Sequence, residues 1–298
     1  MVKVLDLRFQ GVARVIASFL LETPEGPVLI ETGPESTYPR LVEALRAEGV
    51  EPEEVRHVFV THIHLDHAGA AWRLAEKGAT VYVHPKGAPH LVDPSRLLAS
   101  AGRIYGEMLK PLWGELKGIP PGRVRVLADG ERVDLGGVGV QAVETLGHAA
   151  HHHAYLVEGV LFTGDIAGVR IAPGPVLPPT PPPDIHLESW YHALDRILAL
   201  RPEALYLTHF GAYGDVEDHL QTLRQALEDW AGWTLSRLRE GVSLEAMIPR
   251  FEAYWRENLQ RAGVDEAGMR LYELADPPYM NLQGLVRYWQ KHHPEALG

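Results

Sequence analysis

Apolar and polar residues alternate along the first part of the chain with the two-residue period of half-buried strands, which predicts strands over 2–7, 12–21 and 27–31. Ser36 stands where an N-cap would open a helix carrying Leu41, Leu45 and Arg46, stopped at Gly49. Val55 to Val60 reads as a buried strand, Ala70 to Lys77 as a short helix and Thr80 to Val83 as the next strand. That succession is the order of an α/β chain. Residues 85–122 turn mostly helical, with Asp93-Pro94-Ser95 opening one helix and Pro120-Pro121-Gly122 closing the segment. Strands resume over 124–127, 138–146, 154–157 and 160–163. Pro173 to Pro183 reads as a stiff loop, because fixed φ angles and missing N–H groups serve neither helix nor sheet. A helix with Leu187, Trp190, Leu194, Ile197 and Leu198 on one face leads to a last strand over 204–207. Beyond Gly214 only helical stripes remain: Leu220, Leu223, Leu227 and Trp230; Leu244, Ile248, Phe251, Trp255 and Leu259; Leu282, Leu285, Val286 and Trp289. The expected organisation is one domain over 1–214, with 85–122 as a helical insertion, and a helical C-terminal segment over 215–298.

Composition narrows the chemistry. With 298 residues, 46% of them hydrophobic and 22% charged, the chain can bury a sizeable core. A net charge of −11 without any long Lys/Arg run sets a field that repels nucleic acid and anionic membranes, so neither is an expected partner. Local cations can still attract an anionic substrate, and net charge does not fix substrate sign. There is no cysteine, which removes disulfides, thiolate ligands and thiol nucleophiles together. Any transition metal must then be held by imidazole and carboxylate, a set suited to zinc, iron or manganese. Asp6 and Arg8 interrupt the apolar N-terminus, and no apolar run reaches membrane-spanning length; a cytoplasmic location is expected.

His62 and His64 are two apart, which in extended backbone turns both imidazoles to one side and lets them chelate one ion. Asp66 continues that alternation. His67, one step on, projects differently and reaches toward a second ion at about 3.5–4 Å, the spacing of two-metal hydrolytic sites. A chain with 16 histidines can carry a surface loop of several, but three of them and an aspartate between His62 and His67, directly after a strand, make that reading poor. His148, Asp165 and His209 each follow an apolar strand, at the rim where α/β folds assemble sites. Gly147 and Gly164 beside two of them allow tight turns and close backbone approach.

In this order the motifs resemble the metallo-β-lactamase superfamily, with its His-x-His-x-Asp-His, Gly-His, Gly-Asp and terminal His, over residues 10–210. The resemblance implies a four-layer αββα sandwich of the mixed α/β class as the catalytic domain. It implies two divalent metal ions, zinc first and iron or manganese as other fits. His62, His64 and His148 would hold one, Asp66, His67 and His209 the other, and Asp165 would bridge them. Asp66 would be catalytic, orienting the attacking hydroxide and carrying a proton. Two dications, two carboxylates and one hydroxide leave about +1, suited to a developing oxyanion. The reaction implied is hydrolysis of an ester, thioester, lactone or related bond in a small molecule, closest in pattern to glyoxalase-II-like and general hydrolase members. Glu31 stands near the acid of the family's early Asp-x-Gly turn and is given no role. His152 is expected behind the ligands, His84 there or as a satisfied buried histidine, and His151 and His153 in structural or surface places. His90, Tyr105 and the proline loop are expected as pocket walls or as ordinary surface.

Other readings stand beside this one. A true β-lactamase is disfavoured because zinc β-lactamases lack the aspartate that Asp165 supplies. A ribonuclease or phosphodiesterase of the superfamily needs a basic grip that neither 85–122 nor 215–298 has. An iron-dependent persulfide dioxygenase shares the His62 to His67 pattern while using one iron. A non-catalytic scaffold is disfavoured by ligands intact at all seven positions.

Overall fold

The computed structural model describes residues 2–298 and gathers most of the strands into two six-stranded sheets. The first contains, in sequence order, β1 (Val2–Asp6), β2 (Ala17–Thr23), β3 (Gly26–Ile30), β4 (His57–Phe59), β5 (Thr80–Val83) and β6 (Val124–Val126). Its first three strands are antiparallel, and β3 to β6 run parallel. Parallel neighbours need crossovers. These are α1 (Tyr38–Ala47), then α2 (Leu65–Ala68) with α3 (Ala71–Glu76), then α4 (Ala88–Val92), α5 (Ser95–Tyr105) and α6 (Leu109–Trp113).

The second sheet starts with β7 (Arg132–Leu135), β8 (Val138–Glu144), β9 (His153–Val157) and β10 (Val160–Gly164). A two-stranded ribbon, β11 (Val169–Arg170) and β12 (Val176–Leu177), and helix α7 (Leu187–Leu200) then lead to β13 (Ala204–Leu207) and β14 (Gly211–Tyr213). The latter two complete the sheet in the order β14-β13-β10-β9-β8-β7. The chain ends in α8 (Val216–Arg239), α9 (Leu244–Arg261), α10 (Glu266–Ala275) and α11 (Pro278–His292). No helix among the described residues is long and apolar enough to cross a membrane.

Strand alternation builds the layers. On β2, Phe19 faces the second sheet and packs with Phe59, Tyr155 and Phe162, while its neighbour Leu20 turns outward to Leu41, Leu45 and Trp72 of the covering helices. Val143, Leu161 and Leu205 turn to the other outside, where Trp190 of α7 packs together with Leu223, Trp230 and Trp255 of the C-terminal helices. Three apolar layers between helix, sheet, sheet and helix make the αββα sandwich. The helices beyond 215 share one of those layers, so their apolar stripes are spent on the second sheet and on α7.

Several local expectations change. β2 begins at Ala17, not at Val12, because Gln10, Gly11 and Arg14 adopt positive φ and break the extended path. Ser36 does not cap α1; its hydroxyl donates to Leu112 O, and the helix starts at Tyr38 after a short turn. The proline segment is not wholly a loop, since Val176 and Leu177 pair with Val169 and Arg170. Strand β7, absent from the expected strands, pairs with β8 in a hairpin closed by Gly136-Gly137, a two-residue turn with positive φ at both positions.

Helix α11 is seated on the proline segment by one close approach. Asn281 Oδ1 accepts from Thr180 N at 2.6 Å, Thr180 Oγ1 donates to Asn281 O at 3.1 Å, and a Cβ on Gly284 would clash with Thr180 O, far inside van der Waals contact. The atoms it would meet are all backbone, so none can swing away. Gly284→Ala is therefore expected to destabilise the protein by about 1–3 kcal/mol, read as a lowered midpoint in denaturant titration. An unchanged midpoint would mean that this approach is slack.

Candidate metal centre

The sequence places the motif residues on the rim where the strands of both sheets end. His62 and His64 follow β4, and Asp66 and His67 lie in the first turns of α2, not in the extended run expected for Asp66. The chain coils there because Ala68 N–H and Gly69 N–H bond back to His64 O and Leu65 O, which swings Asp66 and His67 away from the first two imidazoles. His148 follows β8, Asp165 follows β10 and His209 follows β13. Gly164, at φ +51°, brings the Asp165 turn so close that a Cβ there would collide with Thr61 Oγ1 and sit 2.8 Å from His152 Nε2.

All seven predicted residues meet, in two groups. His62, His64, His148 and Asp165 place ligand atoms within 4.8 Å of one another, and so do Asp66, His67, Asp165 and His209. In the first group His62 Nε2 lies 2.9 Å and His148 Nε2 3.1 Å from His64 Nδ1. The outer nitrogens fix the rings: His148 Nδ1–H donates to Pro179 O at 2.8 Å and His209 Nδ1–H to Val15 O at 2.7 Å, which turns both Nε2 atoms inward. Asp165 belongs to both groups. Its Oδ2 is 3.3 Å from His148 Nε2 and 4.0 Å from His62 Nε2, while its Oδ1 is 3.2 Å from His67 Nε2 and 3.5 Å from His209 Nε2.

The electrostatics separate the two groups. Burial, reinforced by His67, His64 and His148, pushes the His62 imidazole well below the usual histidine range. Burial and His148 push His64 down to about 3. Burial alone would lower His67 as well, but Asp165, Asp66 and Glu31 outweigh it and hold that ring well above the usual value. Burial tends to raise Asp66, yet His67 and the hydrogen-bonded His209 bring it to about 2. Neutral imidazoles aiming lone pairs at one another, beside ionised carboxylates, are arranged for cations. His67 Nε2 and Asp165 Oδ1 are buried without a hydrogen-bond partner, which is the same demand seen atom by atom. The donor set, all imidazole and carboxylate, fits divalent ions such as zinc, iron or manganese.

Behind the ligands stand residues of two kinds. His152 accepts from Asp165 N at 3.4 Å through Nε2 and bonds Thr145 Oγ1 through Nδ1, so it holds the Asp165 backbone. Glu31 has a place that the sequence pattern left blank. It is fully buried at the end of β3, accepts from Thr61 N at 3.3 Å, and sets its other oxygen 3.5 Å from His67 Nδ1. The strand-end rule that found His148 and Asp165 would have found Glu31, since β3 is the parallel neighbour of β4. Glu31→Gln keeps the shape and removes the charge that orients His67. It is expected to weaken the second ion about 10–100-fold in a chelator competition while sparing the first; equal weakening of both would refute this division.

The remaining histidines sort by contact. His84 accepts from Lys86 N at 3.0 Å and donates Nε2–H to Glu144 at 2.9 Å, a satisfied tie between the sheets; His153 is buried against it, not on the surface. His151 is not confined to a structural place: it packs edge-on against His64 and lines a cavity of about 390 Å³ over the centre. His90 and Tyr105 of the insertion and Pro181 of the proline segment line the same cavity, as do Asp276 and Met280 from the C-terminal helices.

Comparisons agree with this architecture. A family model described as the metallo-beta-lactamase superfamily matches residues 11–209. The metallo-beta-lactamase fold-containing protein ST1585 of Sulfurisphaera tokodaii is 30% identical over 177 residues, 57% of this chain and 67% of that protein. An N-acyl homoserine lactonase from a Bacillus species is 29% identical over 163 residues, 47% of this chain and 57% of the lactonase. The solved structure of TTHA1429 from Thermus thermophilus, described as a metallo-beta-lactamase family protein, superposes with TM-score 0.69 at 20% identity, covering 97% of this chain and 93% of that one.

Proposed function

Because the chain belongs to the metallo-beta-lactamase superfamily, we propose that it is a binuclear metal-dependent hydrolase that opens the acyl–oxygen or acyl–sulfur bond of a small lactone, ester or thioester. The observation that carries this reading is the division of the Asp165 carboxylate, one oxygen turned to each of two complete ligand groups. A single ion would leave His67 and His209 without purpose, which speaks against the one-iron alternative. The likeness to an N-acyl homoserine lactonase and a predominantly apolar cavity over the centre favour a carboxylic ester bond with an uncharged apolar arm.

His62, His64 and His148 would hold one ion, Asp66, His67 and His209 the other, with Asp165 between them. Zinc is the proposed ion, since an imidazole-rich set without cysteine suits it. Two such ions supply polarisation of a carbonyl and acidification of water near neutral pH. The chain supplies the rest. Asp66, ionised at neutral pH, lines the cavity, where it would aim the attacking water, take one proton from it as the carbon–oxygen bond forms, and give that proton to the departing oxygen or sulfur as the old acyl bond breaks. Val15 O and Pro179 O fix the His209 and His148 rings so that neither turns during turnover. Tyr105 lines the cavity with its hydroxyl kept protonated by burial and by the nearby Asp66 charge; that hydroxyl donates to Met280 Sδ at 3.8 Å, a weak bond it would exchange for one to the substrate's carbonyl side. Metal analysis followed by a panel of N-acyl homoserine lactones, thioesters, phosphodiesters and β-lactams tests the proposal. Two divalent ions per chain with lactone or thioester turnover are expected; one iron per chain with no hydrolysis across the panel would overturn it.

A further inference from the structure

Two polar side chains in the cavity wall beside the centre belong to neither ligand group: His151 and Asp184. His151 packs edge-on against His64 and lies nearly parallel to His62, with ring centroids 5.7 Å and 6.2 Å away. Its Nε2 is 3.9 Å from Asp184 Oδ2, too far for a direct hydrogen bond and the spacing that one bridging oxygen fills. Both side chains keep open surface, 12% for His151 and 31% for Asp184, and His151 is the one ionic neighbour of Asp184 among the described residues. The pair is held from behind. Asp184 follows Pro181, Pro182 and Pro183, whose φ angles are fixed, and precedes the buried Ile185 and then His186, whose N–H donates to Gly147 O at 2.9 Å. That bond ties the Asp184 segment to the loop that carries His148 and His151.

The carboxylate draws the imidazole proton onto Nε2, the nitrogen that faces it, so the gap has an N–H on one side and an acceptor on the other. A single oxygen about 2.8 Å from each atom closes it. That oxygen must accept one hydrogen bond and donate another, which a hydroxyl does and an ether or ester oxygen does not. An ammonium ion would satisfy Asp184 but set its own donors against the N–H of His151, and a carboxylate would satisfy His151 but face Asp184 with like charge. We propose that His151 and Asp184 form a hydroxyl subsite: a hydroxyl carried by the substrate near the bond to be opened accepts from His151 Nε2–H and donates to Asp184. Because the chamber is otherwise largely apolar, an analogue without the hydroxyl leaves both groups unpaired, and the pocket discriminates against it. The solvent access that Asp184 keeps limits this discrimination to about tenfold. That the hydroxyl belongs to a substrate rests on the hydrolase reading; its recognition does not.

Ligand-observed NMR titration of the metal-loaded protein tests the subsite with heptan-2-ol and 2-methoxyheptane, an ether that keeps the accepting oxygen and loses the O–H. The alcohol is expected to bind about tenfold tighter. In Asp184→Leu that ratio is expected to fall to about one, and in Asp184→Asn, whose amide oxygen still accepts, a preference is expected to survive. His151→Phe keeps a ring against His64 and removes the N–H; it is expected to weaken the alcohol about tenfold with metal content unchanged. A wild-type ratio within about twofold, or undiminished affinity for the alcohol in His151→Phe, overturns the subsite. So does an undiminished ratio in Asp184→Leu, the result that ligation of the alcohol to a metal ion would give. Tighter binding of 2-aminoheptane than of the alcohol also overturns it, making Asp184 a cation site. Absence of all hydrolysis in the panel above would sink the hydrolase reading while this ratio still decided the role of the pair.

Discussion

Asp165→Ala is expected to lose both metal ions and, with them, more than about a thousandfold in kcat/KM. The effect is large because one side chain serves two ligand groups. Its Oδ2 closes the set of His62, His64 and His148, and its Oδ1 closes that of His67 and His209. Removing it leaves five inward-facing imidazoles with Asp66 as the remaining carboxylate among them. Two like charges then repel across the gap it filled. Metal content by plasma mass spectrometry, measured before any activity assay, checks this directly. An alanine variant that still carries two ions would show that Asp165 does not join the groups.

Asp66→Asn separates two roles that geometry alone gives to one carboxylate. Its Oδ2 lies 3.4 Å from His209 Nε2 and 3.6 Å from His67 Nε2, so it contributes to the second group, and the side chain also faces the cavity. Asparagine keeps an oxygen for the ion and loses the capacity to take a proton. The expected result is a fall of about 10²–10⁴ in kcat, with little change in KM, that excess metal does not restore. Full recovery at saturating metal would reduce Asp66 to a ligand. Because neighbouring imidazoles hold this carboxyl at about 2, its ionised form persists through the acid range, and a decline of activity between pH 4 and 6 would have to come from another group.

Much of this centre was legible in the chain because its ligands are of types with few other reasons to cluster. His62 to His67 lie within one short segment, and His148, Asp165 and His209 each follow a strand whose apolar run is visible in the sequence. Glu31 was noticed beside Thr32-Gly33 but given no role, although it ends a strand in the same way, since a lone glutamate there departs from the family's Asp-x-Gly pattern. The backbone around Asp66 was misjudged for a related reason. Alternating polar residues look extended, whereas hydrogen bonds from Ala68 and Gly69 back to His64 and Leu65 coil the segment into α2. Short elements such as β11, β12 and β14 were missed because two or three residues hold too little periodicity to be read.

The sequence by itself determined the α/β order of elements and the metal-binding chemistry, because strand alternation and ligand spacing are local properties that survive without knowledge of the fold, while the four-layer arrangement was implied only by the family resemblance. Only the tertiary structure decided what encloses that chemistry. Tyr105 and Asp276 are far apart in the chain and meet across one cavity because α5 and the C-terminal helices pack from opposite sides, the latter anchored by Asn281 on Thr180 and by Tyr272 on Pro175. Contacts between such distant segments depend on shape complementarity between whole elements, which no residue spacing encodes.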